Sequence, residues 1–242
     1  MCTLEKRGDL FFLTLTGVGP SDEHRLSPAV IESILSALSD AAAQFTPGCA
    51  LITTSQGKFF SNGFDLGWAQ SAGSVREAED RLHGMVHSFC PVVAAFLSLP
   101  MPTIAAVQGH AAAAGMMLAL CHDYMLLRSD RGVLYMPEVD IGLTLPDYFS
   151  ALGRAKIGSV SALQELFLHG AKVGGEEAVK LGVAWSAHKG EEALMEASIN
   201  LGEKLAKRKR DGEVFAEIRK SLYPELCAVL GLTHKAIATP KL

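Results

Sequence analysis

Short apolar runs alternate with amphipathic stretches in the first part of the chain. Residues 10–15, rich in Leu, Phe and Thr, predict a β-strand. Ser27 followed by Pro28 predicts the start of a helix that continues to about Gln44. The apolar run at residues 50–54 predicts a buried strand. The pattern therefore begins as strand, helix, strand.

The alternation continues through the middle of the chain. Residues 75–99 have the apolar spacing of a long amphipathic helix, and Pro91 predicts a break or kink in it. Further segments have strand or short-helix character: strands at 103–107, 124–127 and 133–135, and a helix at about 113–120. Beyond Asp147 the pattern is mostly helical, with glycines as helix stops.

Strands that alternate with helices, followed by helices alone, are typical of an α/β core with a helical C-terminal part. We place the core at residues 1–190 and the helical C-terminal region at residues 191–242. No linker rich in Pro, Gly or Ser separates the two regions, and no internal repeat is evident.

Composition narrows the functional classes. The chain has 242 residues, of which 49% are hydrophobic, enough for a full core. Its net charge of −4 disfavours a broad nucleic-acid surface, so no nucleic-acid partner is expected. The dense basic run at 207–210 fits either a solvated helix end or an anion contact. No secretory signal is visible near the N-terminus, and no apolar stretch predicts a membrane span.

Cysteine and histidine spacing gives no metal site. The five cysteines are scattered without metal or redox spacing, which favours a reducing compartment. His83 and His87 are four residues apart on the predicted long helix, but no third ligand is evident. We therefore predict no metal. No phosphate-loop or Rossmann motif occurs either, and we expect no separate cofactor.

Two turns of small residues are the first chemical feature. The first is Ser61-Asn62-Gly63-Phe64-Asp65-Leu66, and the second runs from Gly109 to Gly115 and opens a Met/Leu-rich helix. Small side chains let a ligand reach the main chain, and a helix start offers unpaired N–H groups. Each turn can therefore direct an N–H at a ligand oxygen.

Pro137-Glu138 supplies the second chemical feature, a carboxylate among apolar residues. A Pro-Glu pair alone is usually a surface acid, but the two upstream turns favour a catalytic role. Burial among Tyr135, Met136, Val139 and Ile141 should raise the pKa of this carboxyl. Two N–H donors and one base suggest enolate chemistry on a carbonyl compound.

The order of these motifs resembles the crotonase (enoyl-CoA hydratase/isomerase) superfamily. The resemblance spans roughly residues 8–190 and includes Gln108-Gly109-His110, Cys121-His122-Asp123 and Ile141-Gly142 beside the motifs above. It is greatest to the Δ3,Δ2-enoyl-CoA isomerases of plant peroxisomes. It implies a spiral of ββα turns with two sheets at a large angle, and a homotrimer or dimer of trimers.

The resemblance also implies roles for particular residues. Phe64 and Ala114 would donate the two N–H groups of an oxyanion hole, and Glu138 would be the catalytic acid–base. Ala113 and Ala114 depart from the glycines usual in relatives, which matters because a Cβ narrows the approach and requires φ below zero. Acyl-CoA contacts are implied for the following residues: Asn62, Gly63, Phe64, Asp65, Leu66, Ala114, Arg25 and Met117.

Met117 favours isomerisation over hydration. It stands where hydratases of the family have a first glutamate. Adding water to a double bond needs two proton-handling groups, whereas a 1,3-proton shift needs one group used twice. The expected reaction is therefore conversion of 3-enoyl-CoA to 2-trans-enoyl-CoA in fatty-acid β-oxidation. Alternatives are a weak hydratase, a dienoyl-CoA isomerase, a thioesterase-like member, or a non-catalytic acyl-CoA binder.

Other acids and the chain end complete the expectations. Asp140 and Asp147 are rival candidates for a second acid, whereas Asp65 is expected to hydrogen-bond within its own loop. Pro240-Lys241-Leu242 is close to the Ser-Lys-Leu peroxisomal signal but differs at its first position. With the resemblance, it predicts a peroxisomal protein bound by an import receptor.

Overall fold

The computed structural model describes residues 1–17 and 22–236. Its strands are β1 (Cys2–Arg7), β2 (Leu10–Leu15), β3 (Ala50–Ser55), β4 (Phe59–Ser61), β5 (Thr103–Val107), β6 (His110–Ala112), β7 (Tyr124–Arg128), β8 (Val133–Tyr135), β9 (Val173–Gly174) and β10 (Ser186–His188). Its α-helices are α1 (Pro28–Ala43), α2 (Leu66–Gln70), α3 (Val75–Ser98), α4 (Ala114–Leu120), α5 (Glu138–Ile141), α6 (Asp147–Lys156), α7 (Val160–Leu163), α8 (Gly175–Lys180), α9 (Glu191–Ala206), α10 (Gly212–Leu222) and α11 (Pro224–Val229). A π-helical turn, Gln164–Leu168, follows α7.

The described strands form two sheets. The larger has the order β1-β2-β3-β5-β7-β10, in which β1 pairs antiparallel with β2 and the other pairs are parallel. The smaller has the order β4-β6-β8-β9, in which β9 pairs antiparallel with β8. Parallel strands require crossover connections, and helices provide several of them. The predicted α/β class is confirmed.

Side-chain alternation along β2 divides the core. Phe11, Leu13 and Leu15 enter the main hydrophobic cluster, whereas Leu10 and Phe12 enter a smaller cluster that includes Leu194 of α9. Successive strand residues point to opposite faces, so one sheet buries apolar side chains on both sides. Helix α9 thus packs on one face of the larger sheet.

Local signals set the helix starts. Ser27 accepts a hydrogen bond from Val30 N, and Pro28 occupies the first helical position of α1, as the sequence predicts. Ser74 accepts from Glu77 N at the start of α3. Helix α3 continues through Pro91 without the predicted break. Within the described ranges no helix is both long and apolar enough to cross a membrane.

A buried arginine connects α10 to the core. The Arg219 guanidinium pairs with Asp123 at 2.7 Å and donates to the carbonyls of Phe96, Leu99 and Met101. Both the charge and the N–H donors of Arg219 are therefore satisfied inside the protein. This network fixes α10 against the C-terminal end of α3 and the start of β5.

Candidate active site

The first turn leaves one backbone donor without a protein partner. Leu26 forms a parallel bridge with Phe64, in which Leu26 N donates to Gly63 O at 2.8 Å and Leu26 O accepts from Asp65 N at 3.4 Å. This pairing uses the groups on either side of Phe64, so the Phe64 N–H faces away from Leu26. Among the described residues it donates no hydrogen bond.

Gly63 brings the first turn against the second. Its φ is +76°, a region that glycine adopts without strain. A Cβ at Gly63 would lie 2.9 Å from Ala113 Cβ, 3.1 Å from Ala112 O and 3.4 Å from Ala114 N. The absence of a side chain therefore lets the two turns converge, as the sequence suggested.

In the second turn, the N–H of Ala114 points away from helix α4. Ala113 O accepts hydrogen bonds from Met116 N and Met117 N inside the first turn of α4. The chain has no cis peptide in its described part, so the Ala114 N–H points opposite to Ala113 O. Ala114 is the first residue of α4 and has no intrahelical acceptor for this N–H.

A cavity of about 400 Å³ opens where the two turns meet. Its walls come from both turns, α3, α5 and the segment that leads into α6. The lining residues are Arg25, Asn62, Phe64, Leu66, Leu82, His83, Val86, Ala112, Ala113, Pro137, Glu138, Ile141, Leu143, Thr144, Leu145, Pro146 and Phe149. A mostly apolar wall with a few polar groups suits a ligand with a long aliphatic part.

Glu138 is the acid that lines this cavity. It begins α5, and its Oε2 is buried without a hydrogen-bond partner among the described residues. Burial raises the pKa of the Glu138 carboxyl, and a hydrogen bond from its own backbone opposes the rise. A buried carboxyl with a raised pKa is a stronger base once ionised, which suits proton abstraction.

The surroundings of Glu138 differ in part from those predicted. The raised pKa is as expected, but Val139 and Ile141 are 52% and 51% exposed. They follow Glu138 on the solvent side of the short helix α5. Burial of the carboxyl therefore depends mainly on the cavity walls.

A polar network fixes the side chains at one end of the cavity. Arg25 pairs with Glu23 at 2.6 Å, and its Nη1 donates to Phe64 O at 3.4 Å. The same carboxylate accepts from Asn62 Nδ2 at 3.1 Å, and Tyr135 OH donates to Asn62 Oδ1 at 3.4 Å. These contacts lower the pKa of the Glu23 carboxyl, led by the hydrogen bond from Asn62. Arg25 and Asn62 are thus held beside the first turn.

Aromatic side chains of α3 and α6 pack against the Phe64 ring of the first turn. The Phe64 ring lies 5.8 Å from the Phe89 ring of α3 in an edge-to-face arrangement and 6.1 Å from the Phe149 ring of α6. Tyr148 OH donates to Val86 O at 2.6 Å and connects the same two helices. Rigid aromatic contacts of this kind restrict movement of the Phe64 backbone.

Four of the predicted contact residues lie outside the cavity lining: Gly63, Asp65, Ala114 and Met117. Ala114 and Met117 are fully buried in the core. Asp65 caps α2 by accepting from Trp68 N at 3.0 Å, which confirms the predicted loop hydrogen bond. Asp140, a rival acid, is exposed at the surface.

Sequence reasoning did not identify several wall residues. Leu82 and Val86 face the cavity from one side of α3, which their i, i+4 spacing could have indicated. Asp147, the other rival acid, is the exposed first residue of α6 and does not line the cavity. No group of three or more metal-binding side chains gathers within the described ranges.

Comparison with known proteins identifies the family of this chain. Residues 18–226 match the family model described as enoyl-CoA hydratase/isomerase. The chain belongs to this family. The predicted family is thus confirmed.

Curated relatives narrow the comparison. The chain is 65% identical to "Enoyl-CoA delta isomerase 2, peroxisomal" of Arabidopsis thaliana, over all of both chains. It is 46% identical to "Enoyl-CoA delta isomerase 1, peroxisomal" of the same plant, over 93% of this chain and 91% of the relative.

Solved structures support the fold. A probable enoyl-CoA hydratase of Mycobacterium tuberculosis H37Rv matches with a TM-score of 0.81 at 22% identity, over 95% of this chain and 91% of that chain. A hydratase/isomerase family protein of Silicibacter pomeroyi matches with a TM-score of 0.76 at 21% identity, over 96% and 98%. The predicted crotonase fold is confirmed.

Proposed function

We propose that this protein is a Δ3,Δ2-enoyl-CoA isomerase that uses Glu138 as its single acid–base group. The carrying observation is Glu138, which lines the cavity between the two turns and whose Oε2 is buried without a hydrogen-bond partner among the described residues. The names of the Arabidopsis relatives support the same reaction.

The reaction starts with proton abstraction from C2 of 3-enoyl-CoA. Ionised Glu138 takes the proton, and the C–H electrons delocalise over the thioester and the double bond to give a dienolate. The developing negative charge on the thioester oxygen is stabilised by the N–H groups of Phe64 and Ala114. One such backbone donor is typically worth about 10²–10³ in rate.

The same carboxyl completes the shift. Protonated Glu138 returns the proton at C4, and the double bond settles between C2 and C3. The product is 2-trans-enoyl-CoA, and the carboxylate is regenerated without metal or separate cofactor. The raised pKa favours abstraction and stabilises the protonated carboxyl that stands beside the dienolate between the two steps.

Hydration is the second candidate reaction, and Met117 argues against it. Its thioether cannot move a proton, and the side chain is fully buried away from the cavity. A non-catalytic acyl-CoA binder would keep the two turns without needing the buried carboxyl of Glu138. That buried acid is therefore the feature that favours an enzyme.

The cavity suggests where each part of the substrate binds. Arg25, Asn62 and Leu66 lie near the first turn and would contact the CoA part, as would the backbone of Gly63 and Asp65. The apolar walls from α3 and residues 141–149 would hold the acyl chain. Arg25 can offer a phosphate only those N–H groups that its pairing with Glu23 leaves free.

One experiment separates the candidate reactions. Purified protein is given 3-enoyl-CoA, 2-enoyl-CoA and a dienoyl-CoA, each also with a Glu138→Ala variant. An isomerase should turn over 3-enoyl-CoA alone, and the Glu138→Ala variant should lose this activity. Hydration of 2-enoyl-CoA would favour the hydratase, and binding without any turnover would favour the binder.

Location and assembly are further parts of the proposal. The names of the Arabidopsis relatives and the predicted import signal support a peroxisomal location. Pro240-Lys241-Leu242 lies outside the described residues. A fluorescent fusion with and without these three residues tests import, and light scattering tests the expected homotrimer or dimer of trimers.

A further inference from the structure

Ala113 has an unusual backbone conformation at the second turn. Its φ is 52° and its ψ is −128°, a left-handed combination that glycine adopts readily and an L side chain adopts at a cost. It lines the cavity beside Glu138. The departure from the usual glycine, seen in the sequence, therefore coincides with a strained position at the candidate site.

Hydrogen bonds on both sides hold this conformation. Ala113 N donates to Tyr135 O at 3.0 Å, which ties the residue to β8. Ala113 O accepts from Met116 N at 2.9 Å and from Met117 N at 3.1 Å, which ties it to α4. A strained conformation persists where several contacts hold it in place, and these three hydrogen bonds hold Ala113 in that way.

The conformation of Ala113 sets the direction of the proposed second donor. The ψ angle of Ala113 orients the peptide plane that carries Ala113 O and the Ala114 N–H. With the oxygen fixed inside α4, the N–H is turned outward, towards Gly63. The Ala113 methyl occupies the space beside Gly63, 2.9 Å from where a Cβ of Gly63 would lie.

We propose that Ala113 is a positioning residue that pre-orients the Ala114 N–H for the oxyanion. The methyl group blocks rotation of the 113–114 peptide because it is packed against the first turn. Glycine at this position would relieve the strain but allow the peptide to sample other orientations. The inference rests on the proposed oxyanion hole and adds the group that keeps one of its donors aligned.

The test compares Ala113→Gly with Ala119→Gly, a control that removes a fully buried methyl from α4 outside the cavity lining. A 3-ketoacyl-CoA serves as the probe, because its enolate absorbs in the near ultraviolet and an oxyanion hole favours the enolate over the keto form. Wild type should raise the enolate fraction of the bound probe. Ala113→Gly should lower the enolate-to-keto ratio about 10-fold, part of the ~10²–10³ that a whole donor supplies.

Kinetics and stability give independent readings. Ala113→Gly should lower kcat for 3-enoyl-CoA about 10-fold with KM changed less than about 2-fold, because the donor acts mainly on the dienolate. Its Tm should be no lower than that of wild type, since strain is relieved. Ala119→Gly, without strain to relieve, should lower Tm and keep the enolate ratio within about 2-fold.

Several results would overturn the inference. They are an unchanged enolate ratio in Ala113→Gly, equal losses in Ala113→Gly and Ala119→Gly, or no enolate with wild type. A Tm for Ala113→Gly below that of Ala119→Gly would also overturn it. Failure of the proposed reaction has a different signature. In that case wild type would still shift the probe to its enolate but would not turn over 3-enoyl-CoA.

Discussion

A methyl group added at Gly63 should disable the site by separating the two turns. In Gly63→Ala the new Cβ would meet Ala113 Cβ at 2.9 Å and Ala112 O at 3.1 Å. The backbone on both sides of this contact is held in place, so the two turns must move apart by a few tenths of an ångström or more. The N–H groups of Phe64 and Ala114 would then no longer converge on one oxygen.

The size of the effect has two parts. A side chain at φ +76° costs about 1–2 kcal/mol of stability whatever its neighbours. Misalignment of one donor should cost activity in addition, about 10²–10³ in kcat/KM, or about 2.7–4 kcal/mol of transition-state stabilisation. The activity loss should therefore exceed what the loss of stability alone would produce.

Gly8→Ala is a matched control for the backbone part. Gly8 has φ +60°, and a Cβ there meets nothing within 4 Å. Both variants should lose about 1–2 kcal/mol in urea unfolding from the strained backbone, but Gly8→Ala should keep wild-type kcat/KM for 3-enoyl-CoA. If Gly63→Ala stays within about 3-fold of Gly8→Ala in kcat/KM, the convergence of the two turns is not what drives catalysis.

Three further predictions concern ionisable groups. Since the pKa of Glu138 is raised above the ordinary 4.5 and the base must be ionised, kcat/KM should fall as pH drops through that raised pKa, and a pH profile with a midpoint at or below 4.5 would contradict this. Burial lowers the pKa of His122 to about 4, so the unfolded state gains the proton first as pH falls below about 6.5, and stability should drop by about 2 kcal/mol between pH 7 and pH 5. Urea unfolding at the two pH values should show this drop in wild type, whereas His122→Leu, less stable at both, should lack this contribution to the slope. Arg219→Met leaves the Asp123 carboxylate buried and unpaired, and should lower the free energy of unfolding in urea by about 3–5 kcal/mol. Adding Asp123→Asn should recover part of that loss, whereas an Arg219→Met single variant as stable as wild type would refute the prediction.

Regular elements with strong patterns were predictable from the sequence. Strands β2, β5 and β8 have the predicted bounds, and α1 starts at the predicted Ser27 cap. Their apolar runs and capping residues act locally, so no tertiary information is needed. Helix α3 is continuous through Pro91, because tertiary packing of buried neighbours such as Phe89 and Val92 stabilises it.

The missed elements have weak local signals. Strand β1 is an edge strand with exposed charged residues, and β6 consists of His110 followed by two alanines. Alanine has low strand propensity, so β6 exists because β4 and β8 pair with it on both sides. Strands of this kind cannot be predicted from local sequence, because they form only through pairing within the sheet.

Some of the residues at the candidate site could be predicted from the sequence, but their backbone directions could not. Glycine at position 63 and the acid at position 138 stand out in the sequence, and both lie where the turns meet. The φ below zero expected for Ala113 is wrong: its φ is 52°, because hydrogen bonds to β8 and α4 hold the residue in that conformation. The division between residues 1–190 and 191–242 stays a prediction.

The most direct test of the account replaces Glu138 by glutamine, which keeps the shape of the side chain and removes its capacity to accept the proton. Isomerisation of 3-enoyl-CoA and equilibrium binding of a saturated acyl-CoA are measured on the same preparation. The account predicts a fall in kcat of at least about 100-fold with acyl-CoA affinity within about 3-fold of wild type. A variant that still isomerises 3-enoyl-CoA within 10-fold of the wild-type rate would show that another group carries the proton.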